Sequence, residues 1–265
     1  MRLQRAASIL APLVTLPLLT LGTAPQAESA EAPAGLSVRA AVEHPERLEF
    51  DLGRDGTRHP ERILEFFQIE PGMRVADIQA GNGYYTELLS RIVGPEGRVF
   101  AVNSTITQRL YGKFLTSRLE RDEFDASNVV RIDEPELESG PLTEMELPED
   151  LDRVLLVRFY HDFGWMQVDR DAFNQTIFES LAPGGVFGIV DHHAAEGRGI
   201  DDGGTLHRVE ASLVKAELEA AGFVLEAESY VLNDPTDGHD FNIFADNQAR
   251  RDRTDRFVYF FRKPE

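Results

Sequence analysis

Residues 75–89 read VADIQAGNGYYTELL: an apolar run carrying Asp77, a short turn with Gly81 and Gly83, then apolar residues at helical spacing. Glycines have no Cβ, so two in one turn let backbone N–H groups approach a ligand, and the helix that follows presents its N-terminus to a carboxylate. The same pattern also serves as a plain strand-to-helix connection, so the flanking sequence has to decide. Gln79 stands where such turns often carry a first glycine.

Upstream, Pro60 suits the first position of a helix, and Ile63, Phe66 and Phe67 share a face before Pro71-Gly72 ends it. Residues 73–78 are then the first strand. Downstream, Tyr84, Leu88 and Ile92 give a helix that stops at Gly94-Pro95, and residues 98–103 read as a second strand. Ile106, Leu110 and Phe114 mark the next helix. Residues 129–132 form a short β-branched strand, followed by an acidic surface loop over 133–150. Residues 151–159 are nearly continuous in apolar side chains, as the middle of a parallel sheet demands. Asp169 caps a helix bearing Phe173, Ile177 and Leu181, and Pro183-Gly184-Gly185 leads into a strand over 186–191. Val214, Leu218 and Ala221 line a last helix closed by Gly222. Residues 224–232 and 256–262, with no helical pattern between them, should pair antiparallel. Regular alternation of this kind means a parallel sheet with helices on both faces and right-handed crossovers.

One domain over 59–265, preceded by a polar, irregular segment over 31–58, accounts for most of the 265 residues. The 27 basic and 46 acidic residues give a formal charge of −19, which repels nucleic acid and anionic lipid. The first thirty residues have the layout of a secretory signal: Arg2 and Arg5, an uncharged apolar stretch over 6–21, and small residues at Ala24, Ala27 and Ala30. That stretch is shorter than the roughly twenty residues of a membrane span and is interrupted by Pro12 and Pro17. Cleavage, no stable membrane anchor, and a periplasmic or otherwise exported mature chain are expected. With no cysteine, the mature chain has neither disulfides nor a lipid-modified N-terminus.

The strand, the Asp-x-x-x-Gly-x-Gly turn, the helices and the antiparallel last strand together resemble a class I S-adenosylmethionine (SAM)-dependent methyltransferase over roughly residues 60–262. More narrowly, GYYTELL, FYHDF, LAPGG, DHHA, TLHR and EAAGF are similar to a group of exported proteins usually called predicted methyltransferases. The resemblance implies a Rossmann-like α/β fold, a mostly parallel seven-stranded sheet in order 3-2-1-4-5-7-6, and SAM lying over the turn after strand 1. It implies cofactor contacts from Asp77, Gln79, Gly81, Gly83 and Asn103, with Asp77 at the amino-acid end. Two positions depart from the family pattern: Gln79 replaces a glycine, and Asn103 ends strand 2 where an acidic residue usually binds the ribose. A neutral hydrogen bond in place of a charged one weakens affinity on the order of tenfold.

In such a sheet ligands bind at the carboxyl ends of the strands. His161, His192, His193, His207 and His239 all follow such ends. Asp191, His192, His193, His161 and Glu210 are available metal ligands, but neighbours in an extended segment point to opposite faces and no H-E-x-x-H helix or cysteine pair is present, so no metal site is expected. His161 and His192 are the expected general bases, for a methyl acceptor that must lose a proton. Arg158 suits an acidic substrate or an ion pair with Asp162 or Asp191, and Tyr84, Tyr85 and Tyr160 suit a pocket floor. The 233–255 connection, with Phe241, Ile243 and Phe244, is long and apolar enough for a lid. The expected function is methyl transfer from SAM to a small-molecule acceptor. A non-catalytic periplasmic binding or scaffold protein on the same fold, and a metal-assisted hydrolase using the histidines, are the competing expectations.

Overall fold

The computed structural model describes residues 35–133, 145–244 and 253–265. The signal-like leader, most of the acidic stretch and the centre of the expected lid lie outside these residues. Seven strands form one sheet: β1 (Arg74–Ile78), β2 (Arg98–Asn103), β3 (Val129–Asp133), β4 (Leu151–Val157), β5 (Leu181–His192), β6 (Val224–Ser229) and β7 (Arg256–Arg262). Their order is 3-2-1-4-5-7-6, as expected. β1 pairs in parallel with β2 and β4, β4 in parallel with β5, and β7 runs antiparallel between β5 and β6.

Around the sheet lie α1 (Val38–Val42), α2 (Glu49–Arg58), α3 (Pro60–Phe66), α4 (Tyr84–Val93), α5 (Thr105–Leu119), α6 (Phe163–Met166), α7 (Arg170–Ser180) and α8 (Ala211–Ala220). Ile63, Leu64 and Phe67 pack with Leu88 and Ile92 against one face of the sheet. Phe173 and Ile177 pack with Val214 and Leu218 against the other. Val154, Leu155 and Leu156 of the central β4 are fully buried, which explains why that strand does not alternate in the sequence. Local signals start the helices: Pro60 sits at the head of α3, and the Asp169 carboxylate accepts from the Ala172 N–H at 3.0 Å to cap α7.

One expectation needs correction. The segment before residue 59, described from residue 35 onward, is not irregular there, because it carries α1 and α2. Helix α2 (EFDLGRDGTR) has two glycines and leaves Phe50 and Leu52 exposed, while its buried residue is Asp51. It is held by charge: Asp51 pairs with Arg118 of α5 at 2.6 Å, and Asp55 accepts from the Tyr84 hydroxyl at 2.5 Å. Hydrophobic periodicity does not register that kind of docking. In α5, Leu110 and Phe114 point outward, and Thr107, Gly112, Leu115 and Arg118 form the inner face. No helix among the described residues is long and apolar enough to cross a membrane.

Candidate active site

From β1 the sheet proceeds one way through β2 and β3 and the other way through β4 and β5, so a crevice opens at their carboxyl ends. A cleft of about 410 Å³ lies there, lined by Asp77, Gln79 and Gly81 of the turn, Tyr85, Arg54 and Arg58 of α2, Arg158, His161, Asp162 and His207. Gln79, Arg158 and His207 all take left-handed φ angles, of 58°, 64° and 56°. Each costs roughly 1–3 kcal/mol, and such residues gather where function holds them.

At the inner end, Gln79 adopts the glycine-like conformation of the position it fills. Its side chain swings away from the cleft and its Oε1 accepts from the Ser104 N–H at 3.4 Å and the Ser104 hydroxyl at 3.2 Å. Its buried Nε2 has no hydrogen-bond partner. Asn103 is fully buried, and its Oδ1 accepts from the Gly81 N–H at 2.9 Å. It shapes the turn from beneath instead of facing the cleft. Gly81 is open to the cleft: a Cβ there would meet only the Gln79 carbonyl at 3.8 Å. Gly83 is different, because a Cβ would strike Leu115 at 2.8 Å and Arg118 at 2.9 Å, so it permits close packing of α5. Asp77 accepts from the Thr86 hydroxyl at 2.6 Å. Burial raises its pKa to about 6 against the pull of Thr86.

The outer end is built on Asp191 at the tip of β5. Its carboxylate takes the His161 N–H at 2.9 Å and lies 2.6 Å from His161 Nδ1. His161 Nε2 is buried without a hydrogen-bond partner. Asp162 Oδ1 lies 3.3 Å from that nitrogen, 2.9 Å from His207 Nδ1, and accepts from Trp165 Nε1 at 2.7 Å. Burial opposes a charge on His161, but Asp191 and Asp162 outweigh it and hold its pKa above 6.5. Burial opposes the charge on Asp162 too, and His207 and His161 keep it below the ordinary carboxylate value.

The other expected residues separate. His192 is fully buried, with Nδ1 at 2.7 Å from the Thr254 hydroxyl and Nε2 accepting from Arg158 Nε at 2.9 Å. Burial and Arg158 push its pKa well below 6.5, and neither nitrogen is left to take a ligand's proton. That removes His192 as a base. Tyr160 is not a pocket floor: it turns into the core, where its hydroxyl donates to Glu217 at 2.6 Å and accepts from Asn174 at 3.0 Å. Tyr85 and Arg158 do line the cleft, and Asp191 supports His161 from behind. His193 and His239 stack on each other away from the cleft, 5.3 Å apart. Of the expected lid, Ile243 and Phe244 reach the cleft wall. Arg54 and Arg58 were missed by the sequence reading, although their i, i+4 spacing puts two cations on one helical face.

Comparison with known proteins bears on the inner end and on the fold. Residues 58–133 match the protein-L-isoaspartate(D-aspartate) O-methyltransferase family. Protein-L-isoaspartate O-methyltransferases of Aeropyrum pernix and Methanothermobacter thermautotrophicus are 46% identical over 41 residues and 42% identical over 40. Those spans are 16% and 15% of this chain and 16% and 18% of the relatives, well under a fifth of their length. A SAM-dependent methyltransferase of Aquifex aeolicus superposes with a TM-score of 0.54 at 17% identity, over 77% of this chain and 88% of that one. This is the class I SAM-dependent methyltransferase fold. A SAM-dependent methyltransferase of Mesorhizobium loti shares it, with a TM-score of 0.52 at 19% identity over 79% of this chain and 100% of its own. So does the [4+2]-cyclase SpnF, with a TM-score of 0.54 at 14% identity over 78% and 80%. The methyltransferase fold therefore leaves the reaction to be argued from the site.

The inner end fits SAM in that Gly81 keeps the cleft open beside the turn and a buried carboxylate, Asp77, stands next to it. Arg54, Arg58 and Tyr85 complete the wall there.

Proposed function

We propose that this chain is an exported SAM-dependent methyltransferase acting on a small-molecule acceptor. The observation that carries this reading is one continuous cleft running from Asp77 and Gly81 to His161, Asp162 and His207. Its volume falls within the roughly 300–1,000 Å³ typical of small-ligand sites. The 58–133 match to isoaspartate methyltransferases covers the turn and the Gly81–Asn103 contact but ends before His161, Asp162 and His207. The likeness thus supports the methyl donor and leaves the isoaspartyl acceptor unsupported.

When bound, SAM supplies a methyl group on a sulfonium centre. Asp77 then offers a carboxylate to the cationic amino-acid end, and the backbone at Gly81 allows close approach. The acceptor meets the outer end, where Trp165 beside Asp162 and Phe244 beside His207 leave apolar surface exposed at the cleft mouth. This suits an acceptor with an apolar body and one ionisable group, whose proton is lost at the His161 end. Calorimetry with SAM and with its demethylated product tests the reading: saturable binding of both is expected, and Asp77→Ala should abolish it. Absence of binding at millimolar ligand, or full retention after Asp77→Ala, would overturn it.

A further inference from the structure

His161, Asp162 and His207 each bring one ligand atom to within 4.8 Å of the others. The first two follow β4 and the third sits in the loop before α8, so only the fold joins them. The loop is pressed against the β4 end: a Cβ on Gly203 would lie 2.1 Å from the His161 carbonyl oxygen. That contact sets where His207 arrives.

The arrangement of protons is informative. Asp191 engages His161 Nδ1 at 2.6 Å, which fixes the tautomer with its lone pair on Nε2. A carboxylate behind one ring nitrogen is the usual support for a histidine that binds a metal through the other. Nε2 itself is buried, has no hydrogen-bond partner, and lies 3.3 Å from Asp162. Its contact with Asp162 is thus an electrostatic one without a hydrogen bond, and the Nε2 lone pair points to where an ion shared with Asp162 would sit. Asp162 accepts from both His207 and Trp165 through Oδ1.

We propose that His161, Asp162 and His207 hold a divalent first-row metal ion in a two-histidine, one-carboxylate site open to the cleft. Two imidazoles and one carboxylate suit zinc, iron(II) or cobalt(II) rather than magnesium or calcium, which prefer all-oxygen sites. The remaining coordination positions face the cleft, where an oxygen of the ligand can be oriented. His192 and His193 are excluded as ligands, the first because both its nitrogens are engaged, the second because its ring stacks on His239 away from the cleft and brings no atom to the cluster. The site itself does not depend on the methyl-transfer reading; only its use in orienting an acceptor does.

The test uses the full chain without an affinity tag, stripped with a chelator and then titrated with Zn²⁺ by calorimetry and with Co²⁺ by visible absorption. One ion per chain is expected, with cobalt bands of a site having fewer than six ligands. His207→Ala and Asp162→Asn should each weaken binding by roughly tenfold or more, and His193→Ala should leave it unchanged. Near-ultraviolet circular dichroism checks that each variant is folded. No stoichiometric binding, or binding indifferent to both His207→Ala and Asp162→Asn in folded protein, would overturn the proposal. Because no SAM is present, failure here is separate from failure of the methyl-transfer reading.

Discussion

Asp77 is the residue whose chemistry changes most between the unfolded chain and the cleft. Burial lifts its pKa from 3.8 to about 6. A raised carboxyl pKa means that the folded protein holds the proton more tightly, so this stabilisation is full below pH 3.8 and is lost as pH rises through about 6. The difference is on the order of 3 kcal/mol. Asp77→Asn should therefore stabilise the ligand-free protein at pH 7.5 and have little effect at pH 4, as read from denaturation midpoints at both values. Equal effects at the two pH values would contradict this origin. Gln79 shows what single residues conceal: its departure from the glycine pattern was plain in the sequence, but its left-handed backbone and its bond to Ser104 depend on β2 lying alongside.

Among the elements, α2 depends most on partners distant in the chain. Arg118, almost fully buried on α5, pairs with Asp51 of α2 at 2.6 Å and Glu87 of α4 at 2.5 Å, and donates to the Asn82 carbonyl of the turn at 2.7 Å. Removing it would leave two buried carboxylates short of a partner, a change that costs about 3–5 kcal/mol in comparable buried pairs. We expect Arg118→Ala to lower stability by about that amount and to weaken ligand binding, because α2 brings Arg54 and Arg58 to the cleft. A loss below about 1 kcal/mol in chemical denaturation would show that α2 is held by something else. Helices with an apolar stripe, such as α4 and α7, were legible from their period. Helix α2 was not, since its inward residue is an aspartate and its apolar residues face water.

For the whole molecule, 46 acidic against 27 basic residues leave a charge of −19, and self-repulsion of this size opposes compaction. Raising salt to roughly 1 M shrinks the screening length to ~3 Å and relieves it, while buried pairs such as Arg118–Asp51 and Arg208–Asp237 are screened far less. The melting temperature should therefore rise with sodium chloride; a fall would mean that exposed ion pairs outweigh the repulsion. While the order of the strands across the sheet came only from the family resemblance, the sequence by itself determined the succession and type of the strands, the turn after β1 and the position of the sheet's ligand-binding edge. Those rest on local periodicity, glycine placement and chirality, which act over a few residues. Only the tertiary structure decided which histidines meet. His161 and His207 converge on Asp162 while His192 and His193, adjacent in the chain, part company. Side-chain proximity across strands depends on how the sheet twists and how its loops pack, and no local pattern encodes it.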